Sequence, residues 1–371
     1  MSWISARDAL ELLGTKPQSL YANVSRGRIA ARADPDDPRK SLYRQEDVER
    51  LAGRRQGRQP AQTVAAETIA WGEPVLTTAI STVRDGRLLY RGQDASVLAE
   101  TATLEDVAAL LWGGAAPDFA SIGQARRPGM AAAYRAVAEL TAVEMPSTGR
   151  GRAVLLAAAA RVVSHLSGAL TAPRDAPLHD RLATCWQRPH ASNALRRALV
   201  LLAEHELNAS TFAARVTAST GAPLAAAVMA GLAALSGPLH GTASAAMAGL
   251  VEQAERQDAE AAVRSYLRQG RALPCFGHRL YSNGDVRVEP LLAAFEVPQV
   301  FGAVARAAEQ LTGEKPNIDF GLAAMTVAFD LPHDAPLQLF ALARSVGWLA
   351  HALEQVETGA LIRPRARYIG A

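Results

Sequence analysis

Between Arg215 and Glu252 the chain carries no formally charged residue. A stretch of that length is not kept on a water-facing surface, so it is expected to be buried in protein or in lipid. Its content decides between the two. Pro223, Pro238, Gly221, Gly237 and His240 interrupt it, and its apolar part is mainly alanine, which transfers weakly into lipid compared with leucine or isoleucine. A buried helix or a subunit-interface helix is therefore expected here, and no membrane span. The wider composition agrees, because aromatic residues make up only 5% of the 371 residues while alanine and leucine are plentiful. Strand-rich folds lean on β-branched and aromatic residues, whereas alanine and leucine favour helix. The chain reads as mainly α, with length for two or three structural units.

Hydrophobic residues at 49% and charged residues at 20% exclude a wholly disordered, collagen-like or coiled-coil chain. The net charge of +3 is too small to make the whole molecule a nucleic-acid binder by field alone. Its distribution is uneven: residues 1–58 carry 12 Lys and Arg against 8 Asp and Glu, so only the front end suits a polyanion. Cys185 and Cys275 form neither a disulfide framework nor a CxxC pair, and no signal-peptide pattern opens the sequence. A reducing, cytoplasmic setting is the expectation.

In the front segment Ser5 can cap a helix running to Leu13, with Gly14 as its stop. A second helix is expected over 16–25, with Pro17 in its first turn and Leu20 and Val24 four apart. A polar loop over 33–40, a short strand over 41–44 and a third helix over 45–51 follow. This order, with Leu42-Tyr43-Arg44 followed by Glu46-Asp47-Val48, resembles the winged helix-turn-helix module of the mercury-resistance-regulator (MerR) family. The resemblance implies that the 16–28 helix faces the DNA major groove and that Arg26, Arg28, Arg39 and Lys40 reach phosphates. The competing reading of residues 1–52 is a docking or regulatory appendage with a solvated basic face. Residues 53–70 are polar and aperiodic and read as a linker. No internal repeat of fixed period follows.

Four histidines stand in polar or Gly/Pro-marked contexts: His205, His240, His278 and, less clearly, His351. Metal spacing fails, since Glu204-His205-Glu206 is not HExxH, and no GxSxG elbow, phosphate loop or dinucleotide fingerprint is present. What remains is histidines as hydrogen-bond donors or acids, with arginines to hold an anion. Gly237-Pro238 forces a turn that sets His240 beside a helix N-terminus, where the dipole disfavours imidazolium. A neutral imidazole can then polarise a carbonyl, as enolisation of a weak carbon acid requires. Asn283-Gly284-Asp285 reads as a turn with His278 and Arg287 on either side. Asp319 lies between apolar neighbours before a helix, where partial burial suits a general base; a helix cap is its other reading. Arg344 sits among Leu342, Ala343 and Val346 in a helix expected over 336–357, placed either for an anion or for a structural ion pair.

Six ordered motifs together resemble the citrate synthase family over roughly residues 77–370. They are Ala79-Ile80-Ser81 with Gly86 to Gly92, Glu204 to Ser210, Gly237 to Gly241, Phe276-Gly277-His278-Arg279, Asn317-Ile318-Asp319, and Arg363 to Tyr368. The resemblance implies a nearly all-helical fold of a large and a small domain with a cleft between them, here preceded by the winged module. Residues 71–371 would form this part, with 71–235 and 323–371 in the large subdomain and 236–322 in the small one. It implies an acyltransferase that condenses acetyl-CoA with oxaloacetate and water to citrate and CoA, as in the tricarboxylic acid cycle. Asp319 would abstract the methyl proton, His240 stabilise the enol and His278 polarise the keto carbonyl. His205, Arg287 and Arg344 would hold the oxaloacetate carboxylates, with Arg363 supplied by the second subunit of a homodimer. No metal or resident cofactor is implied. Alternatives are 2-methylcitrate synthesis from propionyl-CoA, or a metabolite-sensing DNA-binding regulator whose synthase domain only binds. Departures from the family pattern include Met145-Pro146-Ser147 where His-Pro-Met-Asp is usual, Cys275 in place of Gly, and Val286 in place of Pro before Arg287.

Overall fold

A computed structural model describes residues 3–13, 20–21, 23–24, 29–34, 37, 40–48, 76–119, 125–172, 175–238, 240–241, 244–281, 283–366, 368 and 370. They fall into two compact units, Met1–Thr77 and Thr78–Ala371.

In the first unit β1 (Trp3–Ser5) runs straight into α1 (Ala6–Leu13), and β2 (Ala31–Ala33) and β3 (Ser41–Arg44) follow. Ser5 caps α1 as expected: its Oγ accepts from Asp8 N at 3.3 Å, and the Asp8 carboxylate accepts from Ser5 Oγ at 2.8 Å. The strands form an antiparallel sheet in the order β1-β3-β2, with Tyr43 opposite both Ile4 and Ala31. β1 and β2 are the elements that sequence reading missed. Three residues are too few to show a period, and pairing with β3 makes each a strand. Ala9, Leu13, Leu20, Ile29, Tyr43 and Val48 build a small core, beside which the buried Asp47 accepts from Ala30 N at 3.0 Å and Arg44 Nε at 2.7 Å. The 16–28 helix lies outside the described residues except at 20–21 and 23–24, which are helical, as do Arg26, Arg28, Arg39 and the 53–70 linker. Lys40 forms an exposed ion pair with Asp37 at 3.2 Å.

The second unit opens with an antiparallel meander, β4 (Ser81–Arg84), β5 (Arg87–Tyr90) and β6 (Gln93–Asp94). Asp85 and Gly86 both take positive φ, 51° and 72°, the two-residue turn whose twist suits a hairpin. The helices are α2 (Ala95–Thr101), α3 (Leu104–Trp112), α4 (Met130–Val143), α5 (Arg152–Leu170), α6 (Leu178–Cys185), α7 (Ser192–Leu202), α8 (Ala209–Ser219) and α9 (Leu224–Leu235). They continue with α10 (Ala245–Arg256), α11 (Ala259–Arg268), α12 (Val288–Leu292), α13 (Gln299–Thr312), α14 (Ile318–Ala328) and α15 (Ala335–Thr358).

α15 is the axis of this unit, since α3, α5, α7, α8, α9 and α14 all pack on it. It stops where Gly359 adopts φ 63°, the left-handed end that glycine takes without strain. Close approach explains the alanine-rich composition. At Gly231 of α9, an added Cβ would lie 2.5 Å from the Trp348 ring of α15, so only a bare backbone fits there. The uncharged stretch covers the end of α8, α9, the turn after it and the first half of α10, and α9 buries Leu224, Val228, Leu232 and Leu235 in protein, as expected of a buried helix. α5 has the length and apolarity of a membrane span, but Leu155, Val162, Val163 and Leu166 of this helix lie in the helical core. Most apolar side chains of the unit join one large core around α15. A second cluster gathers Met247, Leu250, Val263, Tyr266, Phe301, Val304 and Phe320 from α10, α11, α13 and α14.

Candidate active site

Three turns and two helices supply the polar groups. The first turn joins α7 to α8 and carries His205. Its backbone is forced through φ 52° at Glu206, and Asn208 closes it by capping α8 through Thr211 N at 3.1 Å. His205 is buried; its Nε2 lies 2.9 Å from Tyr281 Oη, and its ring stands edge-on to that of His278, with centroids 5.0 Å apart. Burial, with the charges of Arg287 and Arg344, pushes the His205 pKa well below the usual imidazole value.

His240 sits in the turn between α9 and α10, where an added Cβ on Gly241 would come within 2.5 Å of Leu235 O, so the chain folds tightly back on the end of α9. Its Nε2 is 2.8 Å from Ser210 Oγ, which also accepts from Trp348 Nε1 at 3.1 Å and reaches Asn208 Oδ1 at 2.8 Å. The pKa of His240 falls to about 4 through burial first and Arg344 second. The imidazole is therefore neutral, with desolvation and a nearby guanidinium as the causes.

The third turn carries His278, Tyr281, Asp285 and Arg287. His278 Nδ1 accepts from Leu280 N at 3.2 Å, which leaves the proton of the neutral ring on Nε2. Burial, then Arg287, lowers its pKa as well. Asp285 grips Arg287 through two parallel bonds, Nε to Oδ1 at 2.9 Å and Nη2 to Oδ2 at 2.7 Å, and also accepts from Ile318 N at 2.9 Å. Burial pushes Asp285 up, but Arg287 outweighs it and the carboxyl stays below its ordinary value. Arg287 Nη1 makes no hydrogen bond among the described residues.

Asp319 stands in the first turn of α14. The cap there is Asn317, whose Oδ1 accepts from Asp319 N at 3.1 Å, so the carboxylate is not spent on capping. Although the residue keeps some exposure, Oδ1 is sealed from solvent and has no hydrogen-bond partner. Burial drives the pKa from 3.8 to about 7, against the pull of Arg287 and with a further push from Asp285. Arg344, buried in α15, donates Nε to Leu202 O at 2.8 Å and makes no other hydrogen bond among the described residues. Among the described residues no carboxylate forms an ion pair with it, and Glu204 acts on it as a nearby charge that opposes the downward push of burial on its pKa.

His205, His278, Arg287, Arg344, His240 and Asp319 are thus linked by contact or by charge. Arg363 stands apart from them, exposed on the segment after α15, and makes no hydrogen bond or ion pair among the described residues. Tyr281, Ser210, Asp285 and Trp348 belong to the site without having been singled out. Only Asp285 left a readable signal, a carboxylate two residues before an arginine. The set is two fixed cations, three neutral imidazoles and one carboxyl poised near neutrality, which can hold a small dianion, donate to carbonyl oxygens and remove a carbon-bound proton.

A family model described as citrate synthase, C-terminal domain, matches residues 69–148 and 130–365. Citrate synthase from Haloferax volcanii is 32% identical over 341 residues, 77% of this chain and 90% of that one. The chain belongs to the citrate synthase family. Citrate synthase 2 from Bacillus subtilis is 38% identical over 193 residues, 49% of this chain and 52% of that protein, so the chain spans about half the length of this relative. A relative named 2-methylcitrate synthase, from Mycobacterium tuberculosis, matches over 48% of each chain. Among solved structures, citrate synthase from Thermotoga maritima superposes with a TM-score of 0.66 at 27% identity, covering 81% of this chain and 94% of that one.

Proposed function

We propose that this protein condenses an acyl-CoA, with acetyl-CoA as the first choice, with oxaloacetate, and hydrolyses the product thioester to citrate and CoA. The observation that carries the reading is Asp319: a carboxyl with one oxygen sealed and unpartnered, raised to about 7 by burial and acted on by the charges of Arg287 and Arg344.

Arg287 and Arg344 receive the oxaloacetate carboxylates beside His205. Arg287 keeps Nη1 for this purpose, because Asp285 holds only its other two nitrogens. Asp319 takes a proton from the carbon next to the thioester carbonyl, and His240 donates to the thioester oxygen as the enol forms. Ser210 has one proton and two acceptors in reach; given to His240 Nε2, it leaves the ring proton on Nδ1 for the substrate. The enol carbon then attacks the keto carbon of oxaloacetate while His278 Nε2 donates to the keto oxygen. Water cleaves the resulting thioester, and CoA leaves as the thiol. Every step is assigned to protein groups, with acyl-CoA as co-substrate. The two hydrophobic clusters support a large and a small subdomain that close over the substrates and exclude water until the carbon bond has formed.

We assign Arg363 to the site of a neighbouring copy in a homodimer, a reading supported by its exposure and its lack of partners among the described residues. Cys185 and Cys275 are not joined in a disulfide among the described residues, which supports a reducing, cytoplasmic setting. For the first unit, its separate core and three-stranded sheet support a winged helix-turn-helix module, with a docking or regulatory appendage as its first reading and DNA binding as the second assignment. Gel shifts whose affinity does not fall with salt would remove that assignment.

The experiment is release of CoA thiol by the purified protein with oxaloacetate, run in parallel with acetyl-CoA and propionyl-CoA. Oxaloacetate-dependent release with a higher kcat/KM for acetyl-CoA is expected. A higher value for propionyl-CoA would move the assignment to 2-methylcitrate synthesis, and no release with either would overturn the enzyme reading.

A further inference from the structure

His351 lies seven residues after Arg344 on the same helix, two turns along and on nearly the same face, and it is fully buried. It touches none of the groups assigned to the reaction, yet its partners lead back to them. Nε2 is 3.2 Å from Glu204 Oε1, and Nδ1 is 3.2 Å from Arg215 Nη1. A guanidinium only donates, so Nδ1 accepts, and the ring proton rests on Nε2 and points at Glu204. Arg215 is in turn held by Gln355 Oε1 at 2.7 Å and Glu354 Oε2 at 2.8 Å, which fixes the tautomer from behind.

Glu204 is the residue before His205, and its carboxylate is wholly buried. Oε1 takes bonds from His351 and from Ser81 Oγ at 3.2 Å, whereas Oε2 has no partner and lies where a Cβ on Gly347 would collide with it. Ser81 Oγ also accepts from Glu206 N at 3.1 Å, so the residues on both sides of His205 are tied to one hydroxyl. Two residues before Glu204, Leu202 O accepts from Arg344 Nε. The α7–α8 turn is thus fastened to α15 at two points, by Arg344 on Leu202 and by His351 on Glu204.

We propose that His351, acting through Glu204 and Ser81, is a positioning residue that sets the His205 turn against Arg344 and so fixes the geometry of the oxaloacetate site. This rests on the reading of that site as an oxaloacetate site. Burying a carboxylate with one empty oxygen is costly, and a turn held open at φ 52° on Glu206 is strained. Both costs are met by the alignment of one imidazole and one guanidinium. Without the His351 donor, Glu204 moves toward other donors and carries His205 with it, while His240 and Asp319, on other elements, stay in place.

The test is calorimetric titration of oxaloacetate into the full-length protein, with steady-state kinetics, for the wild type, His351→Leu, His351→Gln and Ser81→Ala. His351→Leu is expected to raise the Kd and KM for oxaloacetate about tenfold or more, the effect of losing a hydrogen bond to a charged group. kcat and the KM for acetyl-CoA stay within about twofold. His351→Gln keeps a donor toward Glu204 and restores most of the affinity; Ser81→Ala falls between. A folded His351→Leu protein with wild-type oxaloacetate affinity overturns the proposal. So does a loss that His351→Gln shares in full and that spreads over kcat and both KM values. Should His351→Leu not fold, wild-type affinity in Ser81→Ala overturns it instead. Failure of the underlying reading is distinct, because the wild type itself would then take up no oxaloacetate.

Discussion

Replacing Asp319 by Asn separates the chemistry of the site from its energetic cost. The carboxyl titrates at about 7 in the fold against 3.8 in an exposed chain. Between those values the folded protein holds a proton that the unfolded chain has released, so stability falls as pH rises from about 4 to about 7 and is level above that. Three units at about 1.4 kcal/mol each give a penalty of about 4 kcal/mol once the group is ionised. Asn has nearly the same shape and does not ionise. Asp319→Asn is therefore expected to abolish condensation and yet to be more stable than the wild type, with an advantage that grows by about 2–3 kcal/mol between pH 5 and pH 8. Equilibrium urea unfolding of both proteins at the two pH values measures the difference, and contributions common to the two chains cancel. A stability difference that does not change with pH would refute the assignment of Asp319 as a buried, raised carboxyl. An active Asp319→Asn protein would refute its role as the base.

The same titration governs rate: kcat/KM for acetyl-CoA is expected to fall with acid below about pH 7 as Asp319 takes its proton, with no second limb from His240, which is already neutral down to about pH 4. A profile flat from pH 5 to pH 8 would contradict this. If Arg363 serves the neighbouring copy, mixing inactive Arg344→Ala and Arg363→Ala chains after co-refolding regenerates intact sites in about a quarter of the total, since half the dimers are mixed and each has one complete site. With both single variants inactive, recovery of no activity would place Arg363 in the site of its own chain. Gly231→Ala puts a methyl into the Trp348 ring and is expected to lose about 1–3 kcal/mol in urea unfolding; an unchanged midpoint would mean that the α9 and α15 backbones are not held at this distance.

Helices were the legible part of the fold, because alanine-rich periodic segments ended by glycine leave strong local marks; Gly359 and the run before it are an example. β1, β2 and the meander over 81–94 were not legible as strands. Each is too short to show alternation, and pairing with neighbours rather than propensity makes them strands. In the site, His205, His240, His278, Arg287, Arg344 and Asp319 could be picked out because each is a polar group in an apolar or Gly/Pro setting. Their partners were hidden, since Tyr281 and Ser210 matter only through residues 76 and 30 positions away. The cause of a shifted pKa was equally out of reach for His240, where Arg344 from a distant helix contributes. Cys275, noted for replacing glycine, proves to occupy φ 66°, a backbone position that explains why glycine is the ordinary residue there.

The indole of Trp348 makes this architecture visible to light. Its Nε1 donates to the hydroxyl that His240 touches, and the ring is sealed between α9 and α15, away from water. An indole so placed emits toward the blue, and its intensity follows the strength of the bond at Nε1. Whatever draws on His240 from the far side of the ring therefore reaches a fluorophore through a single oxygen. If the proposed chemistry holds, arrival of an acyl group is expected to change this emission, read in a stopped-flow instrument against the signal of Trp3, Trp71, Trp112 and Trp186.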